Sequence, residues 1–153
     1  MIFEILPARL HDLNALKTLE NEVFRQDAWP VLDILAALIF PGGIHLKAQF
    51  DGTIIGFISV EENLFDSIAW VSLVGVAAPY RGQGVGRSLM TAAEKRTRRT
   101  ILQLCVRRSN LGAIHLYEKL GYQKKEIRQH YYADGEDAYL MRKELRSKPD
   151  FLL

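Results

Sequence analysis

The stretch 80-YRGQGVGRSLM-90 decides the architecture of the chain, because a loop with three glycines joins a predicted strand to a predicted helix. We expect the strand at about 68–77 and the helix at about 84–98. Exposed N–H groups at a helix N-terminus converge on one place, where the helix dipole favours negative charge. Glycine lacks the Cβ atom that would hold a ligand away from the backbone. The stretch predicts a site for a phosphate-bearing ligand, with a ligand-free turn as the alternative.

Hydrophobic periodicity extends this strand–loop–helix unit in both directions. Alternation of apolar residues such as Ile44 and Leu46 with polar ones such as Lys47 predicts a strand, and Asp51-Gly52 is a hairpin signal. The other strands are expected at about 2–6, 44–50, 54–62, 101–106, 122–132 and 136–145, and the other helices at about 12–24, 31–40 and 110–120. The order β-α-α-β-β-β-α-β-α-β-β predicts an α/β fold class. One domain at residues 1–145 and a short tail at 146–153 complete the expected organisation.

Composition narrows the partners and the compartment. The chain has 153 residues, 48% of them apolar and 25% charged, and a net charge of +2, which is too small to argue for a nucleic-acid partner. The basic clusters at 95–99 and 107–108 are expected on a solvated face. The first residues lack the basic-then-apolar pattern of a leader, so we expect none, and the apolar run at 68–78 is too short to cross a bilayer. Cys105 is the single cysteine, so we expect no internal disulfide and a reducing compartment. Together these features lead us to expect a cytoplasmic location and no membrane partner.

Three phosphate-binding loop patterns compete for the glycine stretch. The dinucleotide pattern G-x-G-x-x-G fails because Arg87 stands where its third glycine belongs and no carboxylate follows at 102–106. The P-loop pattern fails because no Lys-Ser or Lys-Thr pair follows the glycines. The pattern R/Q-x-x-G-x-G/A fits Arg81, Gly84 and Gly86.

This loop resembles the acetyl-CoA pyrophosphate loop of the GCN5-related N-acetyltransferases, and the segment 109-SNLGAIHLYEKLGY-122 is similar to another motif of that family. The segments 104-LCVRRSN-110 and 130-HYYADGEDAYLM-141 look like those of protein N-terminal acetyltransferases, namely RimI-type enzymes and the catalytic subunits of Nat complexes. The resemblance implies a mostly antiparallel sheet of about seven strands with four helices, splayed centrally at the acetyl-CoA site.

The resemblance also implies acetyl-CoA as co-substrate, no metal, and a set of binding residues. In this role the Val76 N–H would be the oxyanion donor and Tyr117 the general acid, although Tyr117 also suits a core position. Asn110 would contact the cofactor, cap its helix, or do both. The implied cofactor contacts are Val74, Val76, Arg81, Gly82, Gln83, Gly84, Val85, Gly86, Arg87, Ser88, Asn110 and Tyr117.

The base that deprotonates the acceptor amine is the open question. Cys105 occupies the position where related enzymes often carry Glu or His, but a neutral thiol is a poor base, and the position also suits a small buried residue. Glu61 or Glu62 could accept the proton through water, as could a backbone carbonyl. An α-amino group with a pKa near 8 could also arrive neutral.

Substrate recognition is expected from two segments. By resemblance, Tyr131 and Tyr132 lie over the substrate peptide, and Trp29 with Phe24 lines a pocket for its first residue, unless both are core aromatics. The leading hypothesis is an acetyl-CoA-dependent N-acetyltransferase acting on a protein N-terminus with a small first residue. The alternatives are acetylation of a small amine (polyamine, amino acid or aminoglycoside) and a catalytically silent acyl-CoA-binding module. The chain is expected to be a monomer or homodimer.

Overall fold

The computed structural model describes residues 1–40, 42–63 and 65–145. The strands are β1 (Glu4–Pro7), β2 (Ile44–Phe50), β3 (Thr53–Glu62), β4 (Ile68–Val76), β5 (Ile101–Arg107), β6 (Gln123–Arg128) and β7 (Ala138–Glu144). The helices are α1 (Leu13–Phe24), α2 (Val31–Ile39), α3 (Val85–Arg96) and α4 (Leu111–Lys119). These elements divide into two compact units: Met1–Glu61 with Val71–Thr97, and Glu62–Trp70 with the chain from Arg98 onward.

The first unit is built around an antiparallel hairpin. Asp51 and Gly52 both take positive φ angles, 47° and 77°, so the chain reverses tightly between β2 and β3. In this unit β1, β2, β3 and β4 are neighbours in that order, and β2 pairs antiparallel with both β1 and β3. The apolar faces of α1 and α2 bury a core cluster of Leu16, Leu19, Ile34, Phe57 and Leu73.

The second unit carries the other strands and α4. Here β5 pairs antiparallel with β7, and β7 pairs antiparallel with β6. Alternation buries Leu102, Leu104 and Val106 of β5. The strand β5 therefore has a fixed face, and its register determines which way Cys105 and Arg107 point.

The predicted fold class is confirmed as mixed α/β, with a mostly antiparallel seven-stranded sheet and four helices. The last hairpin differs from the prediction, because β6 ends at Arg128 and the chain through Tyr131 and Tyr132 is a loop rather than a strand. His130 has a positive φ of 51°, which is incompatible with a continuing strand. The domain boundary at 145 stays a prediction, and the tail at 146–153 lies outside the described residues. Within the described ranges, no helix has the length and apolar character needed to cross a membrane.

Candidate active site

The glycine loop has the backbone geometry that an anion site requires. Gly82 and Gly84 have φ angles of 74° and 85°, a region that residues with a Cβ atom adopt at a cost. A Cβ atom added to either glycine would meet no atom within 4 Å, so the space beside this backbone is open. Helix α3 begins at Val85, whose side chain is 1% exposed and anchors the first turn. The loop therefore presents its N–H groups at a fixed helix N-terminus, as a pyrophosphate needs.

Two side chains of the loop are bonded to the backbone around it. The Arg81 Nε donates to the Val76 carbonyl at 3.0 Å, and the Gln83 amide donates to the Pro79 carbonyl at 3.2 Å. Arg81 thus ties the loop to the end of β4, the strand that carries Val74 and Val76. Gly86 and Ser88 are half-buried in the first turn of α3, whereas Arg87 is exposed there.

A close approach on β4 was not foreseen from the sequence. A Cβ atom on Gly75 would lie 2.8 Å from Val23 Cγ1 and 3.0 Å from the Phe24 ring, so only glycine lets the end of α1 pack on this strand. The signal was present, because an isolated glycine within a strand pattern often marks a close backbone approach. The sequence reasoning named the valines on either side and missed the glycine.

Helix α4 presents a capping asparagine and a buried tyrosine. The Asn110 side-chain oxygen accepts from the Ala113 N–H at 3.3 Å, so Asn110 is an N-cap, and a cofactor contact stays a prediction. Tyr117 is 7% exposed and packs edge-on against Tyr122, with ring centroids 6.1 Å apart. Burial raises the pKa of Tyr117 to about 12. The hydroxyl is therefore fully protonated at neutral pH, as a general acid must be.

The cysteine at the predicted base position is unsuited to accept a proton. Cys105 is half-buried and hydrogen-bonded to the Tyr131 hydroxyl. Burial raises the pKa of the thiol, and this outweighs the lowering by Tyr131 and by the charge of Arg128. Arg128 is the arginine whose charge acts on this thiol, and the sequence analysis did not identify it as a neighbour.

The two candidate carboxylates have different surroundings. Glu62 Oε2 lies 3.8 Å from Arg99 Nε, and both side chains are largely buried, so an ion pair engages this carboxylate. Glu61 is exposed and lines a cavity of about 320 Å³. The contacts of Glu61 and Glu62 do not place either carboxylate as the base for the acceptor amine, so each role stays a prediction.

The loop with the two tyrosines is held by a network of charges. The rings of Tyr131 and Tyr132 meet edge to face, with centroids 5.1 Å apart. The guanidinium carbon of Arg107 lies 4.1 Å from the centroid of the Tyr132 ring. Arg107 also forms ion pairs at 2.9 Å with Asp134 and with Glu136, and Glu136 accepts from the Ser109 N–H at 2.8 Å. Arg107 thus joins the end of β5 to the loop.

Trp29 lies in the first unit, where its side chain is half-buried. It packs against the core cluster, as Phe24 does, and it also lines the cavity of about 320 Å³ with Asp33 and His45. The sequence left open whether Trp29 is a core aromatic or lines a pocket for the first residue of the substrate. The structure shows packing on the core and a place at this cavity, and the substrate-binding role stays a prediction. Among the described residues, no group of three or more His, Cys, Asp or Glu side chains is placed to hold a metal ion.

Comparisons with known proteins show which family the chain resembles in sequence and structure. The sequence matches the acetyltransferase (GNAT) family over residues 10–122. The catalytic subunit NAA10 of the N-terminal acetyltransferase A complex of Arabidopsis thaliana is 36% identical over 118 residues, covering 72% of this chain and 62% of that protein, less than two thirds. The N-alpha-acetyltransferase RimI of Mycobacterium tuberculosis is 30% identical, over 87% of each chain. The ribosomal-protein-S18-alanine N-acetyltransferase of Escherichia coli superimposes with a TM-score of 0.84 at 28% identity, covering 99% of both chains.

Fold, loop and matches together define an N-acetyltransferase that takes its acetyl group from acetyl-CoA. The family match spans most of the chain, and the chain belongs to the acetyltransferase (GNAT) family. The predicted family, reaction class and co-substrate are thereby confirmed.

Proposed function

We propose that the protein acetylates the N-terminal α-amino group of other proteins. The observation that carries this proposal is the loop with Tyr131 and Tyr132 beside Cys105, which Arg107 and its ion pairs hold in place. Two adjacent tyrosine side chains offer a contact surface that suits an extended peptide better than a small amine. The comparisons support it, since the plant, mycobacterial and Escherichia coli proteins are named for N-terminal, N-alpha or alanine acetylation.

The raised pKa of Cys105 favours the same acceptor. Without a strong base, an amine reacts only through the fraction that is already neutral. At pH 7 an α-amino group with a pKa near 8 is about 10% neutral, whereas a lysine amine with a pKa near 10.4 is about 0.04% neutral. This difference of more than about 10²-fold selects α-amines over alkylamines before any contact is made.

The residues of the chain then divide the work of the transfer. The loop N–H groups at the start of α3 bind the pyrophosphate, and the Val76 N–H stabilises the oxyanion of the tetrahedral intermediate. Tyr117 donates its proton toward the departing thiolate. With a pKa of about 12, it acts mainly as a hydrogen-bond donor until the thiolate charge has developed. Cys105 is left to position Tyr131 rather than to accept a proton.

A peptide assay tests the acceptor class directly. Acetyl-CoA turnover is measured with short peptides beginning with alanine, serine or leucine, with the same peptides blocked at the N-terminus but carrying an internal lysine, and with a polyamine. We expect turnover only with free N-termini, and most with small first residues. Rapid acetylation of the polyamine and none of the peptides would replace the proposal by the small-amine function. Tight CoA binding without turnover of any amine would leave a silent acyl-CoA-binding module.

The loop glycines carry a separate prediction about the co-substrate. In Gly84→Ala the new Cβ atom is strained at a φ of 85° by about 1–2 kcal/mol. If the loop relaxes to relieve that strain, its N–H groups turn away, and we expect the KM for acetyl-CoA to rise about tenfold, which corresponds to 1.4 kcal/mol.

Gly52→Ala is the matched control for this loop variant, because Gly52 also has a positive φ, 77°, with no atom within 4 Å of an added Cβ. We expect both variants to lose similar stability in thermal unfolding and only Gly84→Ala to bind acetyl-CoA weakly. Equal KM values for acetyl-CoA in the two variants would contradict the proposal that this loop binds acetyl-CoA.

Location and assembly form part of the same proposal. A cytoplasmic enzyme fits the dependence on acetyl-CoA and the half-buried lone thiol of Cys105, which suits a reducing compartment. Action as a monomer or homodimer fits a protein that supplies all of the proposed site residues from one chain.

A further inference from the structure

The backbone of Trp29 is held on both sides by charged residues of α1. The Lys17 ammonium donates to the Trp29 carbonyl, and the Trp29 N–H donates to Glu20 Oε1 at 2.5 Å. Lys17 and Glu20 are three residues apart on one helix, so their side chains lie on the same face. Hydrogen bonds to ionised groups are stronger than neutral ones. The two peptide units that flank Trp29 in the segment 25–30 are thus each held by a charged side chain of α1, and we call this pair of bonds the clamp.

The carboxyl of Glu20 stands in a position where packing alone would favour an apolar side chain. Glu20 is 3% exposed, and its second oxygen is buried with no hydrogen-bond partner in the described structure. Its neighbours around a small cavity are apolar, among them Phe24, Phe57 and Leu73. A buried polar atom without a partner costs stability. Packing therefore does not explain a carboxyl at this position, whereas its hydrogen bond to the Trp29 N–H does.

The segment that the clamp holds is strained. Arg25 has φ 48° and ψ −109°, outside the favoured regions for a residue with a side chain. Such a conformation persists only where the surrounding structure imposes it. Within the segment itself, the Ala28 N–H donates to the Arg25 carbonyl at 3.1 Å.

We propose that Glu20, together with Lys17, is a positioning residue that fixes the 25–30 segment so that Trp29 can bind the acceptor. This inference rests on the proposed function and on the prediction from the sequence that Trp29 lines a pocket for the first residue of the acceptor. It assigns to α1 a role in acceptor binding without contact between Glu20 and the substrate. Because the clamp acts on Trp29, it should change the KM for the acceptor and leave the KM for acetyl-CoA unchanged.

The clamp should also respond to pH. Burial raises the pKa of Glu20, outweighing the lowering by the Trp29 N–H and by Lys17, and the charge of Asp33 adds to the rise. Glu20 therefore takes up a proton at a higher pH than an ordinary glutamate, and the protonated carboxyl is a weaker acceptor for the Trp29 N–H. We expect the acceptor KM, expressed as the concentration of neutral amine, to increase on the acid side of the profile.

The test compares Glu20→Gln with Glu22→Gln, whose carboxylate is exposed on the same helix. Steady-state kinetics are measured with a peptide acceptor and with acetyl-CoA across the pH range. The acceptor KM is expressed as the concentration of neutral amine, so that protonation of the acceptor itself does not contribute. In Glu20→Gln we expect this KM to rise about tenfold, the KM for acetyl-CoA to stay unchanged, and the remaining acid-side rise in acceptor KM to disappear. Glu22→Gln should match the parent protein in all three.

A folded Glu20→Gln variant with the parent acceptor KM and pH profile would overturn the inference, as would equal increases in both KM values. If Glu20→Gln does not fold, Lys17→Met breaks the other half of the clamp, and an unchanged acceptor KM in that variant overturns the inference equally. If the parent protein acetylates a small amine and no peptide, the proposed function fails. The same variants measured with that amine then show whether the clamp acts on the acceptor.

Discussion

Replacing Tyr117 with phenylalanine should lower kcat by about 10²–10⁴, the usual contribution of a positioned general acid. The substitution removes one oxygen from a ring that is 7% exposed, so packing against Tyr122 is retained. The departing thiolate then loses the hydroxyl whose pKa of about 12 keeps it protonated throughout the assay range. Because the lost hydroxyl acts mainly on the thiolate charge that develops during the reaction, the KM for acetyl-CoA should stay within about threefold.

Single-turnover kinetics separate this chemical step from product release. Tyr139→Phe is the control, since Tyr139 is a half-buried tyrosine of β7 with no proposed role in the reaction. Both variants should keep the rise of rate with pH that the acceptor amine produces near its own pKa of about 8. Ionisation of Tyr117 itself should cause no change of rate with pH below about pH 10, because its pKa lies above that range. A Tyr117→Phe enzyme with parental kcat would show that Tyr117 is only a core aromatic.

Local features of the sequence predicted the parts of the site that depend on local backbone geometry. The glycine loop is one, because the positive φ angles of Gly82 and Gly84 are a property of a few adjacent residues. The cap formed by Asn110 is another, since the side chain bonds to an N–H three residues away. Chain order and periodicity likewise predicted the fold, because each element is set by its own pattern.

The rest of the site depends on contacts between residues distant in sequence. Cys105 has Tyr131 and Arg128 as neighbours, and no pattern within β5 indicates either one. Arg107 lies two residues from Cys105 along β5, but it forms ion pairs with Asp134 and Glu136 of the 129–137 loop. The clamp on Trp29 joins a helix to a segment nine or more residues away. Long-range pairs of this kind appear only when the chain is folded.

Lys47 shows the same limit in the core of the first unit. In the alternation along β2, Lys47 is one of the polar residues, which usually face solvent, yet Lys47 is 7% exposed and contacts Asp12 at the start of the first helical region. Its ammonium is 2.8 Å from Asp12 Oδ1, and the Arg9 N–H donates to Asp12 Oδ2, also at 2.8 Å. The sequence pattern alone does not indicate that Lys47 is buried, because its partner Asp12 lies 35 residues earlier in the chain.

Replacing Lys47 with methionine should lower the free energy of unfolding by about 3–5 kcal/mol, because it removes the buried ammonium that pairs with the buried Asp12 carboxylate. Burial raises the pKa of Asp12, but the Lys47 bond and charge and the Arg9 N–H together hold it below its usual value. A lowered pKa means that the carboxylate stabilises the fold above the unfolded pKa near 3.9, and that this contribution is lost as the pH falls through the folded value. In Lys47→Met burial remains while the main lowering influence is gone. The deficit should therefore be largest at neutral pH and shrink toward pH 4.

Urea unfolding of the parent protein and the variant at pH 7 and pH 4 measures both quantities. The double variant Asp12→Asn with Lys47→Met removes the charge along with its partner and keeps an oxygen for the Arg9 N–H, so we expect it to recover most of the lost stability. Gln49→Met, a half-buried polar residue two positions along β2, should cost about 1 kcal/mol or less. A loss below about 1 kcal/mol in Lys47→Met, of the size found for exposed ion pairs, would contradict the buried pair. No recovery in the double variant would show that the lysine stem, rather than its charge, stabilises this part of the sheet.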